Sequence, residues 1–389
     1  MSAISARMIA TDAAFASVKN FYNSRYGERR LVPGICDFTF GNPHEMPLEG
    51  IVTAIRERAI PHDKNWFAYK TSEQNSQATI AERLSQELDL TFEPEDIALT
   101  AGAFAAIMVA FRLVVDAGDE VIYSEPAWFC YEPMLLAANA VPQKVKLLPA
   151  TFDLDLAAIE AAIGPKTRLV IVNTPHNPTG RIYSRASLEA LADLLERASG
   201  RIGHRIFLLS DEPYRRLRFD GRGFTSPAAL YQWTLISYSY GKVLLAPGQR
   251  LGYLALSPLM PTADRHALRS VMFSAQMAHG WCFPNAVMQY AVPDLDDLSI
   301  DQMALTRRRD RLMAALLSAR YSVLAPEGTF YLWTKWTDCD PQRQWNALAD
   351  RDVFVLPGSM MNAPGYFRIS LTASDEMVER ALPAFTEVA

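Results

Sequence analysis

A chain of 389 residues, 50% hydrophobic and 21% charged, can build a large core and two domains, and a net charge of −5 gives it no general attraction to nucleic acid. Four scattered cysteines (Cys36, Cys130, Cys282, Cys339) form no CxxC pair, which argues against a zinc ribbon or a disulfide framework and for reduced thiols. Six dispersed histidines without paired spacing predict no metal site. The opening stretch lacks the continuous apolar run of a secretory leader, and no later run is long enough to cross a membrane, so a cytoplasmic location is expected.

In chain order, "DIALT" (96–100) predicts a strand leading into "AFAAIMVAFRLVVDAG", a buried helix that ends at Gly118. "EVIYS" (120–124) and the β-branched "RLVIVNTP" (168–175) predict further strands, the second broken by "HNPTG". "SLEALADLLERAS" (187–199) has helical spacing, and "RIFLLSDE" (205–212), "TLISYSY" (234–240) and "LGYLALS" (251–257) are strand-like. Alternating strands and helices imply an α/β fold with a mostly parallel sheet covered on both faces. Towards the C-terminus, "MALTRRRDRLMAALLSA" (303–319) reads as an amphipathic helix, "FYLWTKW" (330–336) and "YFRISLT" (366–372) as strands, and "DEMVERALPAFTEV" (375–388) as a closing helix. These predict a smaller α/β domain.

Ligands of such sheets bind beyond the carboxyl ends of the strands. Asn177 follows one predicted strand, Asp211 ends another and Lys242 follows a third. A lysine amine can form a Schiff base with a carbonyl. A carboxylate at the end of a buried strand needs a partner, and a protonated pyridine nitrogen is one. The polar turn "NTPHNPTG" (173–180) offers Asn177 as a donor to a ring oxygen. Arg250 suits phosphate, Ser239 adds a hydroxyl, and the strand-to-helix turn at Gly102 and Ala103 presents free N–H groups. Taken singly, each has an ordinary reading: Lys242 as a surface lysine, Asp211 as a helix cap, Trp128 as core, Arg250 as an ion-pair partner. Their joint order at strand ends favours a site.

That order resembles the fold-type I pyridoxal-phosphate (PLP) enzymes, close to the class I/II aminotransferases. Lys242, Gly248 and Arg250 match the family's lysine, glycine and arginine at the same spacing, and the resemblance runs from "FGNPHEMP" (40–47) to "GYFRISLTAS" (365–374). It implies a seven-stranded, mostly parallel sheet flanked by helices, with an N-terminal segment (1–45) packing on the small domain, a large PLP-binding domain (46–290) and a small C-terminal domain (291–389). It also implies that Lys242 takes the cofactor covalently, that Asp211 pairs with its ring nitrogen, and that Asn177 and Tyr214 bond its ring oxygen. Trp128 would stack on the ring. Ser239, Arg250 and the backbone of Gly102, Ala103 and Phe104 would hold the phosphate, with Tyr69 reaching it from the neighbouring subunit of a homodimer. Arg368 would clamp the substrate α-carboxylate, and Gly41 would leave room beside it.

Two positions depart from the pattern: Gly241 stands where serine often precedes the lysine, and Phe104 stands where the phosphate turn often has a hydroxyl. The implied reaction moves an amino group between an amino acid and a 2-oxo acid by a ping-pong mechanism. The same scaffold also supports elimination, cyclisation or oxidative deamination. The stretch 270–292 holds no lysine or arginine, with His279 its only potential cation, and its Met, Phe and Trp content favours neutral or aromatic donors over aspartate. Arg25, Arg29 and Arg30 are the alternative source of a distal cation.

Overall fold

The computed structural model describes residues 3–389, so the first two residues of the expected N-terminal segment lie outside the described residues. Twelve strands form two sheets among the described residues: β1 (Cys36–Phe38), β2 (Ile97–Thr100), β3 (Glu120–Glu125), β4 (Val141–Lys146), β5 (Thr167–Asn173), β6 (Phe207–Asp211), β7 (Thr234–Ser239), β8 (Gly252–Leu256), β9 (Ser322–Leu324), β10 (Tyr331–Lys335), β11 (Val353–Pro357) and β12 (Tyr366–Ser370). The large sheet has seven strands in the order β2-β8-β7-β6-β5-β3-β4, and the small one five in the order β1-β11-β12-β10-β9.

The large sheet is the α/β core that the strand pattern predicts. Strands β2, β6, β7 and β8 are buried at every residue, which explains their unbroken apolar runs. Helix Ala103–Val114 packs on β7 and β8, and helix Thr262–Ala278 packs on that helix. Neighbouring strands run parallel from β4 through β3, β5 and β6 to β7, whereas β8 is antiparallel to both β7 and β2. The reason is local. The connection from β7 to β8 makes only the short helix Tyr240–Val243 and a 3₁₀ turn, not a full crossover helix.

Strand β4 escapes the apolar pattern because it is an edge. "VPQKVK" carries Pro142, Lys144 and Lys146 and is largely exposed. Lysines and proline on an edge discourage pairing with another chain, and the same residues hide the strand from a search for alternating apolar positions.

In the small sheet β1 pairs parallel with β11, while β12 lies antiparallel between β11 and β10. Helices Gln302–Ser318 and Asp375–Glu387 pack on each other beside it. The N-terminal segment divides between the two sheets, unlike the single docking partner expected for it. Its β1 joins the small sheet, but helix Ala6–Ala14 lies along helix Tyr131–Ala137, which links β3 to β4 of the large one. The carboxyl ends of β5, β6 and β7 therefore face a cleft that β10 and β12 close from the other side.

Candidate active site

The cleft has a volume of about 220 Å³. Its floor is set by register: Asn173, the last residue of β5, lies opposite Asp211, the last residue of β6, which lies opposite Ser237 on β7. Asn173 Nδ2 donates to the Asp211 carbonyl oxygen at 2.8 Å, and its Oδ1 accepts the Asn177 N–H at 2.7 Å. One strand-end amide thus ties β6 to the turn that carries Asn177.

The Asp211 carboxylate is buried and only half partnered. Its Oδ2 accepts a 2.5 Å hydrogen bond from the Tyr131 hydroxyl, while Oδ1 has no partner, nor does the Ser237 hydroxyl on the next strand. Burial lifts the carboxyl from 3.8 to about 6, against the Tyr131 hydrogen bond, the neighbouring Ser237 hydroxyl and the Lys242 cation, which act the other way. Lys242 sits on the short helix after β7, with its Nζ 5.8 Å from the centroids of Tyr214 and Phe330. Among the described residues it makes no ion pair and no hydrogen bond through its amine.

Two guanidinium groups also lack carboxylate partners among the described residues. Arg368, on β12, is 2% exposed; its Nη1 donates to Asn177 Oδ1 at 2.7 Å, its Nη2 to the Thr39 carbonyl at 2.9 Å, and its Nε has no partner. Because Arg368 can only donate, it fixes the Asn177 amide with Oδ1 towards itself and leaves Nδ2 for a ligand. Arg250, at the cleft mouth, donates to the carbonyls of Pro247 and Ala101 at 2.9 and 3.2 Å. Beside it, Gly102 caps helix Ala103–Val114, whose first N–H groups have no acceptor within the helix. Ser239 Oγ accepts the Gly241 N–H at 3.3 Å, so its own proton is free to donate.

Both departures from the common pattern acquire local explanations. A Cβ at Gly241 would lie 2.9 Å from Pro247 Cα, so the turn leading to Arg250 passes too close for a side chain there. The Phe104 ring packs edge-on against Trp128 at 4.6 Å, replacing a polar turn residue with support for the aromatic wall. Gly41 is equally constrained, since a Cβ would lie 2.5 Å from the Phe330 ring and 2.9 Å from the Tyr331 hydroxyl.

The geometry is that of an anion-binding pocket with a free amine, and comparison with known proteins gives it a family. The sequence profile described as Aminotransferase class I and II matches residues 33–385. The chain belongs to that family. It is an aminotransferase, with the fold of its relatives. An aspartate/prephenate aminotransferase of Thermus thermophilus is 30% identical over 373 residues, covering 92% of each chain. Kynurenine–oxoglutarate transaminase 1 of Rattus norvegicus is 31% identical over 268 residues, 64% of this chain and 61% of the relative. The crystal structure of an amino transferase from Eubacterium rectale superimposes with a TM-score of 0.91 at 28% identity, covering 100% of this chain and 98% of the other.

Of the residues the sequence singled out, Gly41, Ala103, Phe104, Trp128, Asn177, Asp211, Tyr214, Ser239, Lys242, Arg250 and Arg368 line one cleft, with Gly102 directly behind Arg250. Tyr69 is not among them. It lies 91% exposed beside Trp281, with ring centroids 5.1 Å apart, on a separate surface hollow. Sequence reasoning missed Asn173, Tyr131 and Tyr331. Asn173 was within reach, as the last residue of a predicted strand. Tyr131 and Tyr331 gave no separable signal, because buried aromatics in apolar runs look like core. No group of His, Cys, Asp and Glu suited to a metal ion occurs among the described residues, and none of the described helices is long and apolar enough to cross a membrane.

The raised Asp211 carboxyl predicts a pH dependence for the cofactor-free protein. A folded pKa above the unfolded one means that the folded state holds the proton longer. Stability from this group is therefore fully present below about pH 4 and declines as pH rises to about 6. The decline should approach roughly 2–3 kcal/mol for a carboxyl so completely buried. Asp211→Asn should abolish it, which denaturant unfolding of the apo-protein at pH 4, 5, 6 and 7.5 would measure. An identical pH profile in the variant would contradict the geometry.

Proposed function

We propose that this aminotransferase uses pyridoxal 5'-phosphate held in the cleft, with Lys242 as the covalent attachment. The observation that carries the reading is the buried, unpartnered Asp211 Oδ1 on the cleft floor. A protonated pyridine nitrogen supplies the missing donor, and its charge offsets the cost of the buried carboxylate. The other open groups fit the remainder of the molecule. Asn177 Nδ2 and the Tyr214 hydroxyl suit the ring oxygen, and Trp128 offers a face for the ring. Arg250, Ser239 and the first N–H groups of helix Ala103–Val114, including that of Phe104, suit a phosphate.

When bound, the cofactor supplies an electron-withdrawing pyridinium ring conjugated to the substrate Cα. Asp211 keeps the ring nitrogen protonated. Arg368 takes the α-carboxylate and, through Asn177, is tied to the group that orients the ring. Lys242 Nζ, which has no other partner among the described residues, would be the base that holds and moves the Cα proton. An amino acid would then leave as its 2-oxo acid, its nitrogen retained in the site and its oxo oxygen taken from water, before a second 2-oxo acid enters, which gives ping-pong kinetics. Borohydride treatment followed by peptide mapping should place the pyridoxyl label on Lys242, and Lys242→Ala should lose the visible cofactor band. A label on another lysine contradicts the assignment.

The preferred donor is a neutral or aromatic amino acid. The cleft is walled by Phe40, Phe104, Trp128 and Phe129, and its cations among the described residues are Lys242, Arg250 and Arg368, each already engaged in the reading above. In the 270–292 stretch, burial and the nearby Arg112 cation hold His279 below the usual histidine range, so it is a poor source of charge. Two of the N-terminal arginines are occupied, Arg25 with Asp350 and Arg29 with Asp352, while Arg30 lies over the Tyr22 ring. Comparing kcat/KM for phenylalanine, tyrosine, leucine, methionine, aspartate and arginine with one acceptor should favour the aromatic and apolar donors. A clear preference for aspartate, a substrate named for the Thermus relative, would reject this reading.

The active unit is a homodimer in which Tyr69 completes the partner's phosphate site. Tyr69, Phe67, Phe273 and Trp281 are exposed aromatics in one region, a costly surface for a lone chain. Tyr69→Phe should weaken PLP binding by about tenfold, the size of one lost hydrogen bond to a charged group. Sedimentation of a fully active monomer would exclude the shared site.

A further inference from the structure

One buried tyrosine of the cleft has no role in the reading above. Tyr331 lies on β10, is 2% exposed and lines the cleft. Its strand partner is Ser370, while Arg368 pairs with Trp333, so Tyr331 and Arg368 are diagonal neighbours on one face of the small sheet. The Arg368 guanidinium lies 3.7 Å from the Tyr331 ring centroid. Its two Nη atoms are held by Asn177 and Thr39, and among the described residues the Tyr331 ring is the one aromatic face on which the group lies. The Tyr331 hydroxyl reaches the space beside Gly41, where a Cβ would lie 2.9 Å from it, and meets the Tyr214 hydroxyl.

We propose that Tyr331 is a positioning residue for the amino-acid carboxylate: its ring is the platform that fixes the Arg368 guanidinium, and its hydroxyl donates to the bound carboxylate beside Gly41. A planar guanidinium stacked on a desolvated ring keeps its orientation while its N–H edge stays open. Without the ring, the arginine could still donate to Asn177 and Thr39, but it could rock about that line, and a bidentate pairing is sensitive to such rocking. The electrostatics agree. Although burial pushes the Tyr331 hydroxyl up, the Arg368 and Lys242 cations and the Tyr214 hydroxyl bring it below the usual tyrosine range, which makes it a stronger donor. The proposal rests on Arg368 as the carboxylate clamp, and its test separates the two.

The experiment is a double-mutant cycle on the PLP-loaded enzyme with its best amino donor. Tyr331→Leu should raise KM about tenfold while kcat changes less than about threefold, and Tyr331→Phe, which keeps the ring, should raise KM only about threefold. PLP affinity, measured by fluorescence titration of the apo-protein, should stay unchanged in both. Calorimetric binding of an unreactive carboxylate, 3-phenylpropionate or succinate according to the donor preferred, should weaken in step with KM. In an Arg368→Ala background the ring has nothing left to position, so Tyr331→Leu should add only the roughly threefold that belongs to the lost hydroxyl. If it adds its full factor there, or if PLP affinity falls as far as substrate binding, the positioning role is overturned while the clamp stands. If Arg368→Ala alone leaves donor binding unchanged, both fall. Should Tyr331→Leu not fold, Tyr331→Phe decides: it must raise KM and weaken the carboxylate probe by the same factor, and an unchanged KM overturns the proposal.

Discussion

A carboxylate buried at the end of a strand, with one oxygen satisfied and the other bare, is a costly arrangement, and the rest of the cleft is organised around it. Asp211 is held from two directions: Tyr131 comes from the helix after β3, and Asn173 from the end of β5. Both side chains reach Oδ2, Asn173 at 3.4 Å, and Oδ1 is left buried without a partner. A protein stabilised for its own sake would have paired that oxygen or replaced the residue by an apolar one. Leaving it open makes the site a receptor for a cation, and the fully buried strands beneath supply the rigidity that keeps it in place.

The same logic extends to the positive groups. Arg368, Arg250 and Lys242 lie around one cavity and make no ion pair among the described residues, whereas arginines elsewhere are commonly paired, as Arg215 is with Glu87 or Arg265 with Asp96. In the proposed reading these open groups would receive a ligand carrying a phosphate, a ring cation and a carbonyl, together with a substrate carrying a carboxylate. The groups come from different layers. The large sheet supplies Asp211 and Ser239, with Lys242 on the short helix after β7; the small sheet supplies Tyr331 and Arg368. The hydrogen bond from Arg368 to Asn177 crosses between them and couples the two halves of the site.

Side-chain specificity is a separate matter from this chemistry. Phe40, Phe104, Trp128 and Phe129 wall the cleft, and Tyr22 extends that surface by stacking on Phe40 at 5.7 Å. An apolar wall discriminates weakly between side chains of similar size, whereas one added guanidinium would discriminate strongly for an acidic donor. The absence of lysine and arginine from residues 270–292 therefore carries more weight than the presence of any one aromatic.

The sequence by itself determined the α/β class, six of the seven strands of the large sheet, and the candidate residues Asn177, Asp211, Lys242 and Arg250 near strand ends, because fully buried strands read as apolar runs and polar residues just beyond them stand out. The lysine, glycine and arginine spacing added the family. Strand β4 stayed hidden because an edge strand is protected by the same lysines and proline that erase its pattern. Only the tertiary structure decided which oxygen of Asp211 is free, which way Asn177 points, and that Tyr131 and Tyr331 belong to the site. Those facts depend on pairings between segments far apart in the chain, such as Asn177 with Arg368 and Tyr131 with Asp211, and a buried tyrosine in an apolar run carries no local mark of whether its hydroxyl meets core or cleft.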